Sequence, residues 1–297
     1  MHEGSWAIVL AGGEGSRLRA LSRDDADQPA PKQFCRLGCE RPLLAAALER
    51  AERLVKPGRV MVSVVETHRH WWAAQLADRA PGTIVSQPVG RGTATGILFP
   101  LLRILDRDPE ARVLILPADH AVEEEAILLA ALRRAERVAE RRSDEVVLLG
   151  VTPTRPDTDL GWVLPSHDRD AHSHRVAAFL EKPAPELARS LMSAGGMWNA
   201  FLVAATGTAL LELYRRHQPA LLSGALRHHR EALHGAMGAQ EAKAFERLPH
   251  RDFSHDLLTA GVERLRVVRV PPCGWTDLGT PARLKAWLAA RHALLPV

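Results

Sequence analysis

Short apolar runs alternate with longer segments of helical spacing through the first half of this 297-residue chain. The runs that carry β-forming residues are WAIVL (6–10), RVMVSVV (59–65), TIVSQ (83–87), RVLIL (112–116) and EVVLLGV (145–151). Parallel strands need a long crossover between them, and a helix is its usual form, so this alternation favours a sheet covered by helices on both faces. The sequence therefore predicts an α/β fold with a Rossmann-like, mostly parallel sheet.

After about residue 151 the pattern changes to shorter strands and longer helical stretches. The predicted strands there cover residues 161–165, 174–183, 198–204 and 263–270, and the predicted helices cover 185–195, most of 206–258 and the segment from 281. No internal repeat, low-complexity segment or long linker divides the chain. We therefore expect a single domain over residues 1–297, built from two halves that meet near residue 150.

Charge and composition exclude several classes of protein. The 39 basic and 35 acidic residues are scattered and give a net charge of +4, which suits a small anionic substrate rather than a nucleic-acid groove. Neither a basic leader nor an apolar run of about eighteen residues occurs, so we expect no membrane span. The three cysteines are too few for a disulfide framework and favour the reducing cytoplasm. A homodimer is compatible with the chain, although no sequence signal selects an oligomeric state.

The segment LAGGEGSRL (10–18) places three glycines and an arginine directly behind the first apolar run. Loops of this kind bring backbone N–H groups close to phosphate oxygens. The spacing fits neither a kinase-type P-loop, since no lysine follows Gly15, nor a dinucleotide fingerprint, since Leu18 stands where a third glycine belongs. A phosphate loop of a third kind and a simple tight turn are the two interpretations left open. The polar segment between Arg17 and Lys32 is predicted to be a mobile loop.

Two aspartates follow predicted strands. In open parallel sheets, ligands bind outside the carboxyl ends of the strands, so the residues that follow each strand share one edge. Asp119 follows the strand at 112–116, and Asp277 follows the last strand. Each aspartate alone is typical of a helix cap or a turn, but a pair with open positions is how a protein holds magnesium against a triphosphate. Together with the glycine loop and Lys32, the pair favours a phosphate site.

Three basic residues are candidates for binding phosphate oxygens at this edge. Arg17 provides a planar, bidentate donor and Lys32 a point charge, with a solvated surface pair as the alternative. In FLEKP, Glu181 and Lys182 stand side by side at a strand end. Such a pair can bind a sugar hydroxyl and a sugar phosphate together, and a solvated surface position is again the alternative for Lys182.

Eight sequence blocks follow one another along residues 6–284: LAGGEGSRL, PKQF, QPVGRGTA, PADH, LGWV, FLEKP, WNAF and GWTDLG. This ordered set resembles the sugar-1-phosphate nucleotidyltransferases, and most closely the mannose-1-phosphate guanylyltransferases. One glycine loop recurs by chance, whereas eight blocks in order are a specific signal. The resemblance implies a nucleotide-binding half at 1–150 and a sugar-phosphate-binding half at 151–297 with a closing C-terminal segment. No C-terminal β-helix or isomerase domain is expected.

The resemblance also implies a role for each matching residue. Arg17 and Lys32 would neutralise the phosphates of the nucleotide, and Lys182 would grip the sugar phosphate. Asp119 and Asp277 match the two aspartates that hold Mg²⁺. The residues that match nucleotide-binding positions are Leu10, Ala11, Gly12, Gly13, Gly15, Ser16, Gln87, Pro88, Gly92 and Thr93. The residues that match positions around the sugar ring are Gly161, Glu181 and Asn199.

The reaction that the resemblance implies transfers a nucleotidyl group from GTP to a sugar 1-phosphate, mannose 1-phosphate first, giving GDP-mannose and pyrophosphate. The sugar phosphate oxygen attacks the α-phosphorus in line, so the protein positions the substrates and neutralises charge. The alternatives are the same chemistry on another sugar 1-phosphate or another nucleoside triphosphate, and a non-catalytic regulator that binds a nucleotide sugar.

Three positions depart from the usual guanylyltransferase blocks. Gly92 stands where asparagine is usual, Leu160 stands where an aromatic residue is usual, and WNAF (198–201) replaces WNSG. The blocks that bind phosphate are intact. We therefore expect the reaction to be retained and the sugar and base pockets to differ.

Overall fold

The structure is a computed structural model that describes residues 4–18, 20–24, 27–233 and 239–292. The strands in these residues are β1 (Ser5–Leu10), β2 (Val60–Val65), β3 (Ile84–Gln87), β4 (Arg112–Pro117), β5 (Val146–Val151), β6 (Trp162–Arg169), β7 (His174–Leu180), β8 (Met197–Thr206) and β9 (Leu265–Val270). The α-helices are α1 (Leu43–Glu52), α2 (Arg69–Gln75), α3 (Thr93–Arg107), α4 (Glu125–Arg141), α5 (Pro185–Ser193), α6 (Gly207–His217), α7 (Pro219–Leu233), α8 (Ala239–Glu246) and α9 (Pro281–His292). In the described part of the chain, no helix is both long and apolar enough to cross a membrane.

The strands form one mixed sheet in the order β3-β2-β1-β4-β8-β5-β9-β7-β6. Strands β1 to β4 are parallel to one another, and β5 and β9 form a second parallel pair. Strand β8 pairs antiparallel with both β4 and β5, and β7 pairs antiparallel with β6 and β9. Only β7 and β8 therefore run opposite to the rest of the described strands, and the predicted α/β fold with a mostly parallel sheet is confirmed.

Helices cover both faces of the sheet because successive residues of a strand point to opposite sides. In β1, Ala7 and Val9 join one apolar cluster, whereas Trp6 and Ile8 join another. The first cluster includes residues of α1, α2 and α4, and the second includes residues of α3, α6 and α7. This two-sided burial explains why the first strands are near-continuous apolar runs rather than alternating ones.

The order of the strands interleaves the two halves of the chain. Strand β8 lies between β4 and β5, so the boundary expected near residue 150 falls inside one continuous sheet. An additional antiparallel pairing of β6 with β8, at Trp162 and Trp198, joins the end of the sheet to its centre. Next to it, the N–H of Asn199 donates to the carbonyl of Gly161 at 2.8 Å, which brings two predicted sugar-site residues together.

The carboxyl ends of the parallel strands meet at one edge of the sheet, where ligands bind in open α/β folds. The N–H of Ala118 donates to the carbonyl of Leu10 at 2.9 Å, which places the residues after β4 beside the glycine loop. The C-terminal segment reaches the same edge through an antiparallel bridge between Ala121 and Thr276. Residues far apart in the sequence therefore converge at the edge where the sequence predicted a site.

Gly92 precedes α3 and lets this helix begin against another stretch of backbone. Its φ of +85° lies in the left-handed region, and a Cβ there would overlap the carbonyl oxygen of Arg251, which accepts from the N–H of Ala94. We expect Gly92→Ala to lower the free energy of unfolding by about 2–4 kcal/mol, because it adds a steric clash to a backbone penalty. The urea midpoint of unfolding measures the change.

Gly58→Ala is the matched control for this substitution. A Cβ at Gly58 meets no atom within 4 Å, so the change should alter the free energy of unfolding by less than about 1 kcal/mol. Equal urea midpoints for Gly92→Ala and the wild type would contradict the close approach of Arg251.

Candidate functional site

Two adjoining cavities open at the carboxyl edge of the sheet. The first, which we call the Asp119 cavity, has a volume of about 260 Å³, and the second, the Gln87 cavity, has a volume of about 340 Å³. The predicted residues that line the Asp119 cavity are Leu10, Gly13, Arg17, Lys32, Thr93, Asp119, Gly161, Glu181, Lys182, Asn199 and Asp277. The predicted residues that line the Gln87 cavity are Leu10, Gly12, Gly13, Gln87, Gly92 and Thr93. Because Leu10, Gly13 and Thr93 line both, the two cavities form one cleft.

Ala11 anchors the start of the glycine loop to the core of the sheet. It is 1% exposed, and its N–H donates to the carbonyl of Ser63 at 2.8 Å. The buried amide of Gln33 donates to the carbonyls of Ala11 and Gly13 at 3.0 and 2.7 Å. Gln33 therefore braces the loop, and sequence reasoning missed it although it follows Lys32 in PKQF.

The other loop positions shape the backbone. Gly15 has a φ of +60°, and a Cβ there would lie 3.2 Å from the backbone nitrogen of Lys32. Ser16 begins a short 3₁₀ turn, and Pro88 follows Gln87 directly after β3. The loop thus passes close to Lys32 because Gly15 carries no side chain, and the nucleotide contacts of these residues stay predictions.

Lys32 is a buried cation at the centre of the cleft. Its side chain is 10% exposed, and its Nζ lies 3.1 Å from Asp119 Oδ2. The same Nζ donates to the backbone carbonyls of Asp277 and Leu278. The alternative interpretation of Lys32 as part of a solvated surface pair is therefore wrong.

Asp119 is an ionised carboxylate next to a neutral histidine. Burial raises the pKa of Asp119, but the charge of Lys32, that of His120 at the low pH where both groups are protonated, and hydrogen bonds from Lys32 and the backbone together bring the pKa below its usual value. Burial lowers the pKa of His120 to about 4. Trp275 Nε1 donates to His120 Nδ1 at 3.3 Å, which leaves the ring proton on Nε2, 3.6 Å from Asp119 Oδ1. Sequence reasoning missed both His120 and Trp275, although each lies inside a quoted block.

A buried arginine holds Asp277. Arg283 Nη1 donates to both carboxylate oxygens of Asp277 at 2.8 Å, and its Nη2 donates to Asp157. Burial raises the pKa of Asp157, but hydrogen bonds from Arg283, Arg155 and the backbone of Asp159, together with the charge of Arg283, bring the pKa below its usual value. Gly279 makes room for this pair, since a Cβ there would overlap Asp277 Oδ2. Sequence reasoning missed Arg283 because nothing in α9 distinguishes it from a surface arginine.

Asp119 and Asp277, the two carboxylates predicted to hold a metal ion, both line the Asp119 cavity. Within the described residues, no group of three or more His, Cys, Asp or Glu is arranged to hold a metal. Mg²⁺ is commonly bound through one or two carboxylates, with water and substrate phosphates as the other ligands. The pair therefore fits Mg²⁺ in the presence of a phosphate substrate, and the ammonium of Lys32 on Asp119 marks that carboxylate as a cation acceptor.

Glu181 and Lys182 follow β7 and form an ion pair of 3.5 Å inside the Asp119 cavity. Gly161 makes room for the acid, since a Cβ there would lie 2.6 Å from Glu181 Oε2. Burial raises the pKa of Glu181, and the opposing charge of Lys182 does not cancel the rise. The Lys182 side chain is 57% exposed, so the ammonium is accessible from solvent. The cleft thus combines the partly buried carboxyl group of Glu181 with the exposed ammonium of Lys182, which a phosphate can reach.

Arg17 lies at the mouth of the cleft rather than inside it. Its side chain is 54% exposed, and its Nη1 lies 3.7 Å from Asp159 Oδ1. An exposed pair of this kind contributes about 0–1 kcal/mol, so an entering phosphate can displace Asp159 at little cost.

The loop between Arg17 and Lys32 is tied down in its described part. Ser22 Oγ donates to the carbonyl of Ala30 at 2.6 Å, and Ala30 N–H donates to the carbonyl of Ser22 at 3.2 Å. Residues 19, 25 and 26 lie outside the described residues. The mobility of this loop therefore stays a prediction.

Gln87 lies at the second cavity with its side-chain amide buried. The residue is 3% exposed, and its Nε2 donates to Ser63 Oγ at 3.2 Å. Its Oε1 is buried and has no hydrogen-bond partner among the described residues. A buried unpaired acceptor costs about 1–3 kcal/mol, so a ligand N–H that reaches Oε1 would be favoured.

Known proteins resemble this chain over nearly all of its length. The Nucleotidyl transferase family matches residues 6–292. The alginate biosynthesis protein AlgA of Pseudomonas syringae pv. tomato is 31% identical over 280 residues, which are 92% of this chain and 56% of AlgA. A mannose-1-phosphate guanylyltransferase of Salmonella montevideo is 34% identical over 202 residues, which are 65% of this chain and 41% of that protein. The chain thus spans about half the length of these relatives.

Solved structures share the fold described above. A crystal structure described as mannose-1-phosphate geranyltransferase from Thermus thermophilus is 33% identical, with a TM-score of 0.79, and the match covers 93% of this chain and 76% of that one. The family match includes every block that contributes a residue to the cleft. The chain therefore belongs to the nucleotidyl transferase family.

Proposed function

We propose that this chain transfers a guanylyl group from GTP to mannose 1-phosphate and releases GDP-mannose and pyrophosphate in the cytoplasm. The observation that carries the proposal is the convergence of Lys32, Asp119 and Asp277 beside the glycine loop, in the same cavity as Glu181 and Lys182. Family membership supports the reaction class. The relative named as a mannose-1-phosphate guanylyltransferase favours this pair of substrates.

The triphosphate side of the cleft is built for charge neutralisation. Gly12 and Gly13 line the cleft where β1 ends, so their backbone N–H groups would bind phosphate oxygens, and Lys32 supplies a sheltered positive charge in the same cavity as Gly13. Arg17 at the mouth exchanges Asp159 for a phosphate oxygen. These groups act most strongly when charge moves to the leaving pyrophosphate, so they lower the barrier rather than only binding the ground state.

The acceptor side of the cleft holds the nucleophile. The ammonium of Lys182 binds the sugar phosphate, and the carboxylate of Glu181 and the amide of Asn199 accept and donate hydrogen bonds to ring hydroxyls. A sugar phosphate is ionised at neutral pH and attacks without a general base. The task of these residues is therefore to hold one phosphate oxygen in line with the α-phosphorus.

Asp119 and Asp277 would hold Mg²⁺ together with the triphosphate. The ion supplies positive charge at the reacting phosphates when it is bound. Lys32 and Arg283 keep the two carboxylates in place, the first through Asp119 and the carbonyl of Asp277, the second through the carboxylate of Asp277.

The Gln87 cavity is the proposed base pocket. The unpaired Oε1 of Gln87 would accept from an N–H of the base, and guanine offers such donors along its Watson–Crick edge. Other bases also carry an N–H donor, so the choice of guanine rests on the relatives rather than on this atom.

A regulator that binds a nucleotide sugar without catalysis is the second candidate. Such a protein has no need for both carboxylates and for the arginine that orients Asp277. The complete set in one cleft favours the enzyme.

Purified protein with Mg²⁺ is expected to release pyrophosphate from GTP and mannose 1-phosphate. A matrix of nucleoside triphosphates against sugar 1-phosphates, read by pyrophosphate release, identifies the preferred pair. Release with another pair only would keep the reaction and change the substrate. No release with any pair, combined with thermal stabilisation by a nucleotide sugar, would support the regulator instead.

Asp119→Ala and Asp277→Ala should each abolish turnover, because each removes a carboxylate proposed to hold Mg²⁺. Arg17→Ala should lower turnover by roughly a hundredfold, the effect of losing one transition-state charge partner. Asp78→Ala, at an exposed position of the chain outside the two cavities, is the control and should be unaffected. Rates near the wild type in the first three variants would show that their roles are misassigned.

Arg283→Lys should weaken the response to Mg²⁺ while leaving a folded protein. A lysine cannot reproduce the contacts of the guanidinium with Asp277 and Asp157, so we expect about a tenfold rise in the Mg²⁺ concentration needed for half-maximal rate. Arg189→Lys, at a pair with Glu186 that is 60% and 78% exposed, is the matched control. An unchanged Mg²⁺ titration in Arg283→Lys would argue against a role in orienting Asp277.

A further inference from the structure

Phe201 has a backbone conformation that phenylalanine rarely adopts. It lies inside β8 with a φ of +53°, in the left-handed region that costs a residue with a side chain about 1–2 kcal/mol. Lys182 and Leu278 have similar angles beside the cleft, at +49° and +47°. Strain of this kind persists where the surroundings enforce it, and it is concentrated at ligand sites.

A bulge in β8 enforces the conformation of Phe201. Leu148 pairs with Val203 and Gly150 pairs with Asn199, so three residues of β8 stand opposite one residue of β5. The N–H of Phe201 donates to Asn199 Oδ1 at 3.1 Å, which closes the bulge. Bulges re-aim side chains, and this one directs Phe201 to the Asp119 cavity.

The ring of Phe201 is an apolar wall among polar groups. It lines the Asp119 cavity together with Glu181, Lys182 and Asn199. It also packs edge-on against Phe253, with ring centroids 6.2 Å apart and planes at 72°. The side chain is only partly buried, so full burial in the core does not account for the strained backbone. A few polar groups around an apolar wall are instead typical of a pocket for a small ligand.

We propose that Phe201 determines which acceptor sugars this protein uses, an inference that rests on the proposed function. The Asp119 cavity has a volume of about 260 Å³. Phe201 lines this cavity beside Glu181, Lys182 and Asn199, so its ring takes up space on the side where the proposed acceptor sugar lies. With the ring in place, the Asp119 cavity accepts a hexose 1-phosphate with unsubstituted hydroxyls and excludes a hexose 1-phosphate that carries an N-acyl group. The strained backbone is what places the ring against the sugar.

Phe201→Gly removes the ring and the strain together, and Phe201→Leu retains apolar bulk. The measured quantity is kcat/KM for the best unsubstituted hexose 1-phosphate, mannose first, divided by kcat/KM for N-acetylglucosamine 1-phosphate. We expect Phe201→Gly to lower this ratio by about tenfold or more, mainly through KM for the N-acetyl sugar. Phe201→Leu should stay close to the wild type, since its side chain still fills most of the space.

Leu37→Gly is the matched control, because Leu37 has a φ of +46° but packs in a cluster with Leu43 and Leu284 and lines neither cavity of the cleft. It relieves strain without opening the cleft, so the ratio should not change. A lower Tm for Phe201→Gly with an unchanged ratio would show a packing role only and overturn the inference. A wild type that prefers the N-acetyl sugar would also overturn it.

The failure of this inference and that of the proposed function are distinguishable. A wild type that uses no sugar 1-phosphate with any nucleoside triphosphate overturns both. An active wild type with an unchanged ratio in Phe201→Gly overturns only the role of Phe201.

Discussion

One buried ammonium joins the distant parts of this chain. Lys32 Nζ contacts Asp119 after β4 and the carbonyl of Asp277 after β9, and the latter contact links residues 245 positions apart. A charge with so little exposure is costly unless it is paired, so both partners must be in place before the cleft is stable. The docking of the C-terminal segment, supported by the bridge between Ala121 and Thr276, is therefore inseparable from the assembly of the cleft.

The local sequence patterns were sufficient to predict the strands, but not which strands lie next to one another in the sheet. The runs that become β1 and β2 could be recognised because two-sided burial demands apolar residues at successive positions. The place of β8 could not, because its apolar run does not specify that Arg112 pairs with Thr206 in an antiparallel ladder. The insertion of β8 between β4 and β5 unites the predicted halves in one sheet, and only long-range packing determines it.

Residues of the cleft could be predicted better from their position after a strand than from their residue type. Asp119 and Asp277 could be found because they follow β4 and β9, which belong to one sheet. Ala11 has its side chain in the core beneath the loop, and its nucleotide contact stays a prediction. Arg283 holds Asp277 and also contacts Asp157, 126 positions away, and no local spacing predicts such a contact. The burial of Lys32 was hidden for the same reason, since exposure depends on what packs around a residue.

The departures from the guanylyltransferase blocks have different physical causes. At Gly92, the left-handed φ and the carbonyl of Arg251 leave no space for a Cβ, so local geometry alone requires glycine and its presence says little about the base. At Phe201 the same left-handed region is occupied by a residue with a large side chain, against the local preference. A residue that geometry demands needs no functional explanation, whereas a residue that geometry disfavours does. The departure at Phe201 is therefore more informative about the proposed substrate choice than the departure at Gly92.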